Sequence, residues 1–260
     1  MSEPRHAVVL VTDYGADDSY AGALGGALWS IEPRLRWAVG THGVPAGDVL
    51  AGAYHVKALA RAFPAGTVIC AVVDPGVGTD RRALALEADG VRCVAPDNGL
   101  CSWLWEEAGE RGCVSLPCPE GAAPTFAGRD LFAPAAARLA AGARLEDCGE
   151  PVFDPVMLPA AFPRRVGAAL YARVCVVDRF GNAITTARAA DLGGARPLAA
   201  SWPGGATRRV ARTYAEIGGG LALVMGSADH LEIAARGAPA SRLGGPAAGA
   251  TVRISLGAAG

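Results

Sequence analysis

Three polar clusters interrupt the apolar runs of this chain: TDYGADDS around Asp13, VVDPGVGTDRR around Asp74, and APDNG around Asp97 and Asn98. Each follows a run of small and branched apolar residues that reads as a strand, so each carboxylate stands at a strand end. In open parallel sheets, ligands bind outside the carboxyl ends of the strands. One such acid alone is an ordinary helix cap. Three converging on one crevice, each flanked by glycines that let backbone come close, suit a ligand. That ligand is not a phosphate: three acids repel it, no GxxxxGKS/T loop is present, and the only lysine, Lys57, lies mid-helix. A cationic or hydroxyl-rich molecule fits better, and Asp13 is placed to hold a ribose diol.

The elements that must position these acids alternate. AVVLVTD, LRWAVGTHGV and GTVICAVVDPGVG read as strands, separated by the helices SYAGALGGALWSIEP, which Pro33 stops, and DVLAGAYHVKALARAF. In the second helix Val49, Ala53, Val56, Leu59, Ala60 and Phe63 recur at helical spacing. ALALEA and VRCVAPDNG follow as strands, then LCSWLWEEAG as a helix, an alternation that predicts a mainly parallel sheet covered by helices. The proline-rich stretch at about 150–166 reads as a linker. After it, LYARVCVVD, AITTA, GLALVMG and TVRISL are short strands between Gly and Pro turns, which predicts a small antiparallel barrel. The expected organisation is an α/β domain over 1–155 and an all-β, barrel-like domain over 156–260.

Composition narrows the function. The 260 residues are 51% hydrophobic with a formal net charge of −1, which predicts a globular protein and excludes a basic nucleic-acid surface. MSEPRHAVVLVTDYG lacks the pattern of a secretory signal, and no stretch approaches a membrane span. Seven scattered cysteines suit a reducing cytoplasm. Cys113 and Cys118 have no histidine beside them to complete a zinc site, so no metal is expected.

Taken together, TDYG with the following D-S-Y, VVDPGVGTDRR, APDNGL, TF-x-GRD-x-FAPAAA and D-x-FGN resemble the S-adenosyl-L-methionine (SAM) hydroxide adenosyltransferases. These enzymes hydrolyse SAM to adenosine and are similar to the fluorinase and chlorinase. The motifs occur in the family's order and span nearly the whole chain. The resemblance implies an α/β domain, a C-terminal β-barrel and a homotrimer whose active sites lie between subunits. It implies no metal and no organic cofactor, SAM being the substrate.

It also implies roles. The family's catalytic Asp matches Asp74, its Arg matches Arg81 seven residues on, and its His falls at position 127, where this chain has Ala127. Asp74 would orient the water and Arg81 would stabilise negative charge developing on its oxygen. The two charges hold one another ionised, which makes Asp74 a weak base. Missing the histidine implies a weakened hydrolase. Asp13 resembles the ribose ligand and Ser19 a pocket serine, with Asn98 and Phe126 from their motifs beside them. In the second half, Asp178 resembles the acid holding the methionine ammonium. Asn182 reads the adenine edge, Phe180 packs near the ring, and Tyr214 offers a face to stack on it. Ser227 matches a methionine-binding serine, and backbone near Gly237 faces adenine. The arginine that holds the methionine carboxylate in the halogenases falls at Ala228, so carboxylate recognition has no side chain assigned. Arg129 and Asp130 read as a structural ion pair, Arg82 as a surface residue, the 42–48 stretch as pocket wall, and His230 as a turn residue. A catalytically poor SAM- or adenosine-binding protein is the alternative, and a halogenase a more distant one, since a carboxylate at position 74 repels halide.

Overall fold

The computed structural model describes residues 6–259. Contacts divide the chain between Leu158 and Pro159 into two compact units. Each is built around one sheet.

The first unit holds β1 (Val8–Thr12), α1 (Tyr20–Ile31), β2 (Trp37–Thr41), α2 (Val49–Ala62), β3 (Val68–Val72), β4 (Ala83–Ala88) and β5 (Val91–Pro96). It continues with α3 (Ser102–Glu107), β6 (Arg111–Ser115), α4 (Ala133–Ala140) and β7 (Glu150–Pro151). Its seven strands run in the order β2-β1-β3-β5-β4-β6-β7. Every residue of β1 and β3 is buried, as expected for central strands covered on both faces. Val8, Leu10, Val68, Cys70 and Val72 pack with Leu24 and Leu28 of α1 and the alanines of α4.

The sheet is mixed rather than mainly parallel. The β1–β2, β1–β3 and β3–β5 pairings are parallel, and β4–β5, β4–β6 and β6–β7 are antiparallel. The reason is covalent. Only Asp89 and Gly90 separate β4 from β5, both with positive φ (47° and 79°), the requirement of a tight hairpin turn. A parallel pairing would need a crossover of about a dozen residues or more, which the chain does not supply there. The parallel half carries the consequence for function. From β1 the chain crosses to β2 on one side, and then back past β1 to β3 on the other. The strand order therefore reverses between the carboxyl ends of β1 and β3, which is where a crevice opens in such sheets.

The second unit holds β8 (Arg164–Val166), β9 (Ala169–Val177), β10 (Ala183–Arg188), α5 (Ala189–Leu192), β11 (Ala195–Trp202) and β12 (Gly205–Thr207). It ends with β13 (Val210–Ala211), β14 (Leu221–Met225), β15 (His230–Ala235) and β16 (Thr251–Ala259). These form one nine-stranded sheet, ordered β12-β11-β16-β9-β10-β15-β14-β13 with β8 on β9. Its two outer strands, β12 and β13, are neighbours in sequence, and both reach β14. Thr207 Oγ1 donates to Leu221 O at 2.6 Å, and Leu223 N donates to Arg209 O at 2.9 Å. A sheet whose far edges meet the same strand must curl, and this one forms a half-barrel around Leu170, Val174, Leu223, Ile233, Val252 and Ile254. The proline-rich stretch contributes to both units: β7 closes the first sheet and β8 opens the second. Among the described residues, no helix is long and apolar enough to cross a membrane.

Candidate active site

At the carboxyl ends of β1 and β3 lies a cleft of about 330 Å³, within the range of small-molecule sites. Asp13, Tyr14, Asp18 and Tyr20 line it from the loop after β1, and Val72, Asp74 and Val77 from β3 and its loop. The TFAGRD stretch closes it with Thr125, Phe126, Ala127 and Gly128. Two of the three acid clusters read from sequence therefore share this cleft.

Asp74 is the best-held group in it. Arg81 Nε donates to Asp74 Oδ1 at 2.8 Å and to Oδ2 at 3.0 Å, and Nη2 also donates to Oδ2. Arg81 Nη1 donates to Arg82 O at 3.2 Å, and its guanidinium lies 5.1 Å from the Phe132 ring centre. The planar fork matches a carboxylate on two bonds, so Asp74 is fixed in orientation. Asp74 lines the cleft and Arg81 does not, so the guanidinium reaches the cleft through the acid it grips.

Asp13 is oriented by backbone. Gly47 N donates to its Oδ2 at 2.8 Å, and Gly15 N donates to His42 O at 2.8 Å. The His42 ring shares a 2.7 Å hydrogen bond with Thr12 Oγ1, and burial lowers its pKa, which keeps it neutral. The 42–48 stretch thus braces the loop after β1, rather than lining the cleft itself. Ser19, at the start of α1, makes no side-chain cap bond and stands between two lining residues, Asp18 and Tyr20.

The third cluster serves a different purpose. Asp97 accepts from Arg82 Nε at 2.7 Å and from Val156 N at 2.7 Å, and Arg82 also bridges to Asp154 at 2.8 Å. Asn98 Nδ2 donates to Val73 O at 2.9 Å. These bonds fasten the 154–156 segment and the end of β3, away from the cleft lining. Arg129 and Asp130 form an ion pair at 2.6 Å, and Asp130 also accepts from Ala123 N at 2.9 Å. Those two contacts hold the Asp130 carboxyl below its usual range. The Arg129 guanidinium rests 5.0 Å from the ring centre of Phe126 and braces the aromatic wall.

In the second unit, Asp178 closes the turn between β9 and β10. Its Oδ1 accepts from Phe180 N at 3.0 Å and Asn182 N at 2.8 Å, and its Oδ2 accepts from Asn182 Nδ2 at 3.0 Å. Phe180 projects from this turn, 78% exposed. Gly237 follows β15 and Ser227 precedes it, so about 20 Å of strand at ~3.3 Å per residue separates them. Asp178, Phe180, Asn182 and Gly237 gather at one end, because the start of β10 pairs with the far end of β15. Between the ends, Tyr214 donates through its hydroxyl to Glu232 Oε2 at 2.7 Å. Glu232 is buried, and burial raises its pKa despite the tyrosine, with Asp178 adding to the effect. His230 is a fully buried strand residue, its Nδ1 2.7 Å from Thr185 O, and not a turn residue.

Tyr14, Asp18, Tyr20, Val72, Val77, Thr125 and Gly128 of the lining, and Glu232, are not among the candidates named from sequence. Six of these seven lining residues lie inside quoted motifs, and Tyr20 closes one, so the signal is the whole motif face rather than its acids. Glu232 was visible as a lone acid in the apolar strand HLEIAA.

Residues 8–149 match the model of the SAM hydroxide adenosyltransferase N-terminal domain, and residues 172–253 that of its C-terminal domain. The chain belongs to the SAM hydroxide adenosyltransferase family. It is 38% identical over 275 residues to a Salinispora tropica protein named (R)-S-adenosyl-L-methionine hydrolase, covering 98% of this chain and 99% of that one. A Thermus thermophilus protein of the same name is 37% identical over 250 residues, covering 91% and 95%. Among solved structures, an uncharacterized conserved protein from Thermotoga maritima superimposes with a TM-score of 0.86 at 28% identity, covering 95% of this chain and 99% of that one.

Proposed function

We propose that this protein hydrolyses SAM to adenosine and L-methionine. The observation that carries the reading is the Asp74–Arg81 fork at the sheet's switch point, between the two residues that the sequence resemblance matches to the family's acid and arginine. Both family domains and two relatives named for this activity support it. Those relatives' names specify the (R) form of the sulfonium, and we take the same epimer as substrate.

The sulfonium is its own leaving group, so catalysis falls on the nucleophile. Water oxygen bonds to ribose C5′, the C5′–S bond breaks in line, and its electron pair passes to sulfur as neutral methionine thioether. The released proton leaves by way of the Asp74 carboxylate to solvent. Asp74 orients the water, and the Arg81 charge behind it favours hydroxide character. The reaction consumes only water and SAM, so no cofactor enters it.

Around this centre, Asp13 holds the ribose diol, with Ser19 and Phe126 completing that side of the pocket and Asn98 bracing the end of β3 behind it through Val73 O. Ser227 binds the methionine end, and Asn182, Phe180, Tyr214 and backbone near Gly237 bind adenine, with Asp178 holding the turn that presents Phe180 and Asn182. The active form is a cytoplasmic homotrimer in which the first domain of one copy meets the second domain of the next. Ala127 gives a slower enzyme than a histidine there would. The same alanine favours a second reading, a SAM-binding protein with little turnover. A halogenase is disfavoured by an aspartate, rather than a neutral donor, at position 74 of the cleft lining. Chromatography of SAM incubated with the pure protein decides among them. Adenosine and methionine support the hydrolase, bound and unchanged SAM the sensor, and a 5′-halo nucleoside the halogenase.

A further inference from the structure

Ala127 leaves the proposed water one contact short, and the cleft offers another polar group in the same place. Tyr14 lines the cleft together with Asp74, Ala127 and Gly128. A Cβ built on Gly128 would lie 2.2 Å from the Tyr14 hydroxyl. The phenol oxygen therefore stands directly over the residue next to Ala127, and only glycine leaves it room. The ring is fixed from two sides, by Tyr20 at 5.9 Å and Phe126 at 6.0 Å between ring centres. Among the described residues the hydroxyl has no hydrogen-bond partner, although its backbone N–H is bound to Thr12 Oγ1. An unengaged hydroxyl on the clamped ring of a residue that lines an acid-lined cleft has no packing role that phenylalanine would not fill.

We propose that the Tyr14 hydroxyl is a catalytic residue of the hydrolysis, holding the attacking water in the space that Ala127 vacates. This rests on the hydrolase reading above. Water gives one hydrogen bond to Asp74 and the other to the Tyr14 oxygen, and directs its lone pair at C5′. The O–C5′ bond forms as the C5′–S pair moves to sulfur, and the proton departs through Asp74. The phenol keeps its own proton throughout. Burial, followed by the electrostatics of Cys70, Asp13 and Asp74, pushes its pKa well above the ordinary tyrosine value.

The test is single-turnover kinetics of Tyr14→Phe, Ala127→His and the double variant, with SAM affinity measured alongside by calorimetry. Tyr14→Phe removes only the hydroxyl. It should slow the chemical step by roughly 2- to 12-fold, as for one neutral hydrogen bond, and leave affinity unchanged. With histidine supplied at position 127, the same change should cost less, because both groups would hold one water. Adenosine formation by Tyr14→Phe at the parent rate, or equal costs in both backgrounds, overturns the assignment alone. No adenosine from the parent protein overturns the hydrolase reading and this assignment with it.

Discussion

Two neighbouring strands of the first sheet, β3 and β5, each end in an aspartate gripped by an arginine, and the arginines are adjacent in sequence. Asp74 with Arg81 faces a cleft. Asp97 with Arg82 faces the protein's own chain, which supplies Val156 N and Asp154 as further partners. The chemistry of the two pairs is alike; what surrounds them differs. Asp97 has its lone pairs answered by protein, so it has nothing left to offer a ligand. Asp74 is answered on one side only, by a fork that fixes its direction. A charged pair becomes a site when one of its faces is left for a substrate, and a strut when none is.

Substitutions should separate the two pairs. The largest effect belongs to Asp74→Asn, which keeps the shape and removes the charge. It should lower the single-turnover rate by about 10²–10⁴, the range for lost proton-handling groups, with a small change in melting temperature. Next comes Asp97→Asn. Chemical denaturation should show a loss of about 1–3 kcal/mol from weakening a buried charged hydrogen-bond network, while turnover stays at the parent level. A fall in turnover as large as that of Asp74→Asn would erase the distinction.

The smallest effect comes from the second unit and sharpens the contrast from another side. Glu232 is a buried acid with a tyrosine for a partner rather than an arginine. Burial raises its folded-state pKa above that of an ordinary glutamate, so folding favours the protonated form. The stability it contributes is complete below about 4.5 and is lost as pH rises through its raised folded value. Glu232→Gln should therefore stabilise the protein relative to the parent at neutral pH and lose that advantage in acid. Melting curves across this range check the sign, and an advantage that grows in acid would contradict it.

Much of this was legible in the residues. Strand-end acids, helix periodicity and the order of motifs gave the α/β-then-β organisation and brought Asp13, Asp74, Phe126 and Ala127 forward as candidates. The mixed sheet was missed because Asp89-Gly90 was not weighed as a hairpin turn, although two residues leave a chain no other way to pair. The different use of Asp97 was not legible either, since its partners Asp154 and Val156 lie more than fifty residues away. Tyr14 was hidden for the opposite reason. It stands beside Asp13 in the first motif, but only the approach of Gly128 shows where its hydroxyl goes.

The central claim is that a water held by Asp74 attacks ribose C5′. Running the reaction in heavy-oxygen water and examining adenosine by mass spectrometry tests it most directly. The account predicts one heavy oxygen, located at the 5′ position of adenosine, with methionine unlabelled. Adenosine carrying no label, or label in methionine, would contradict it.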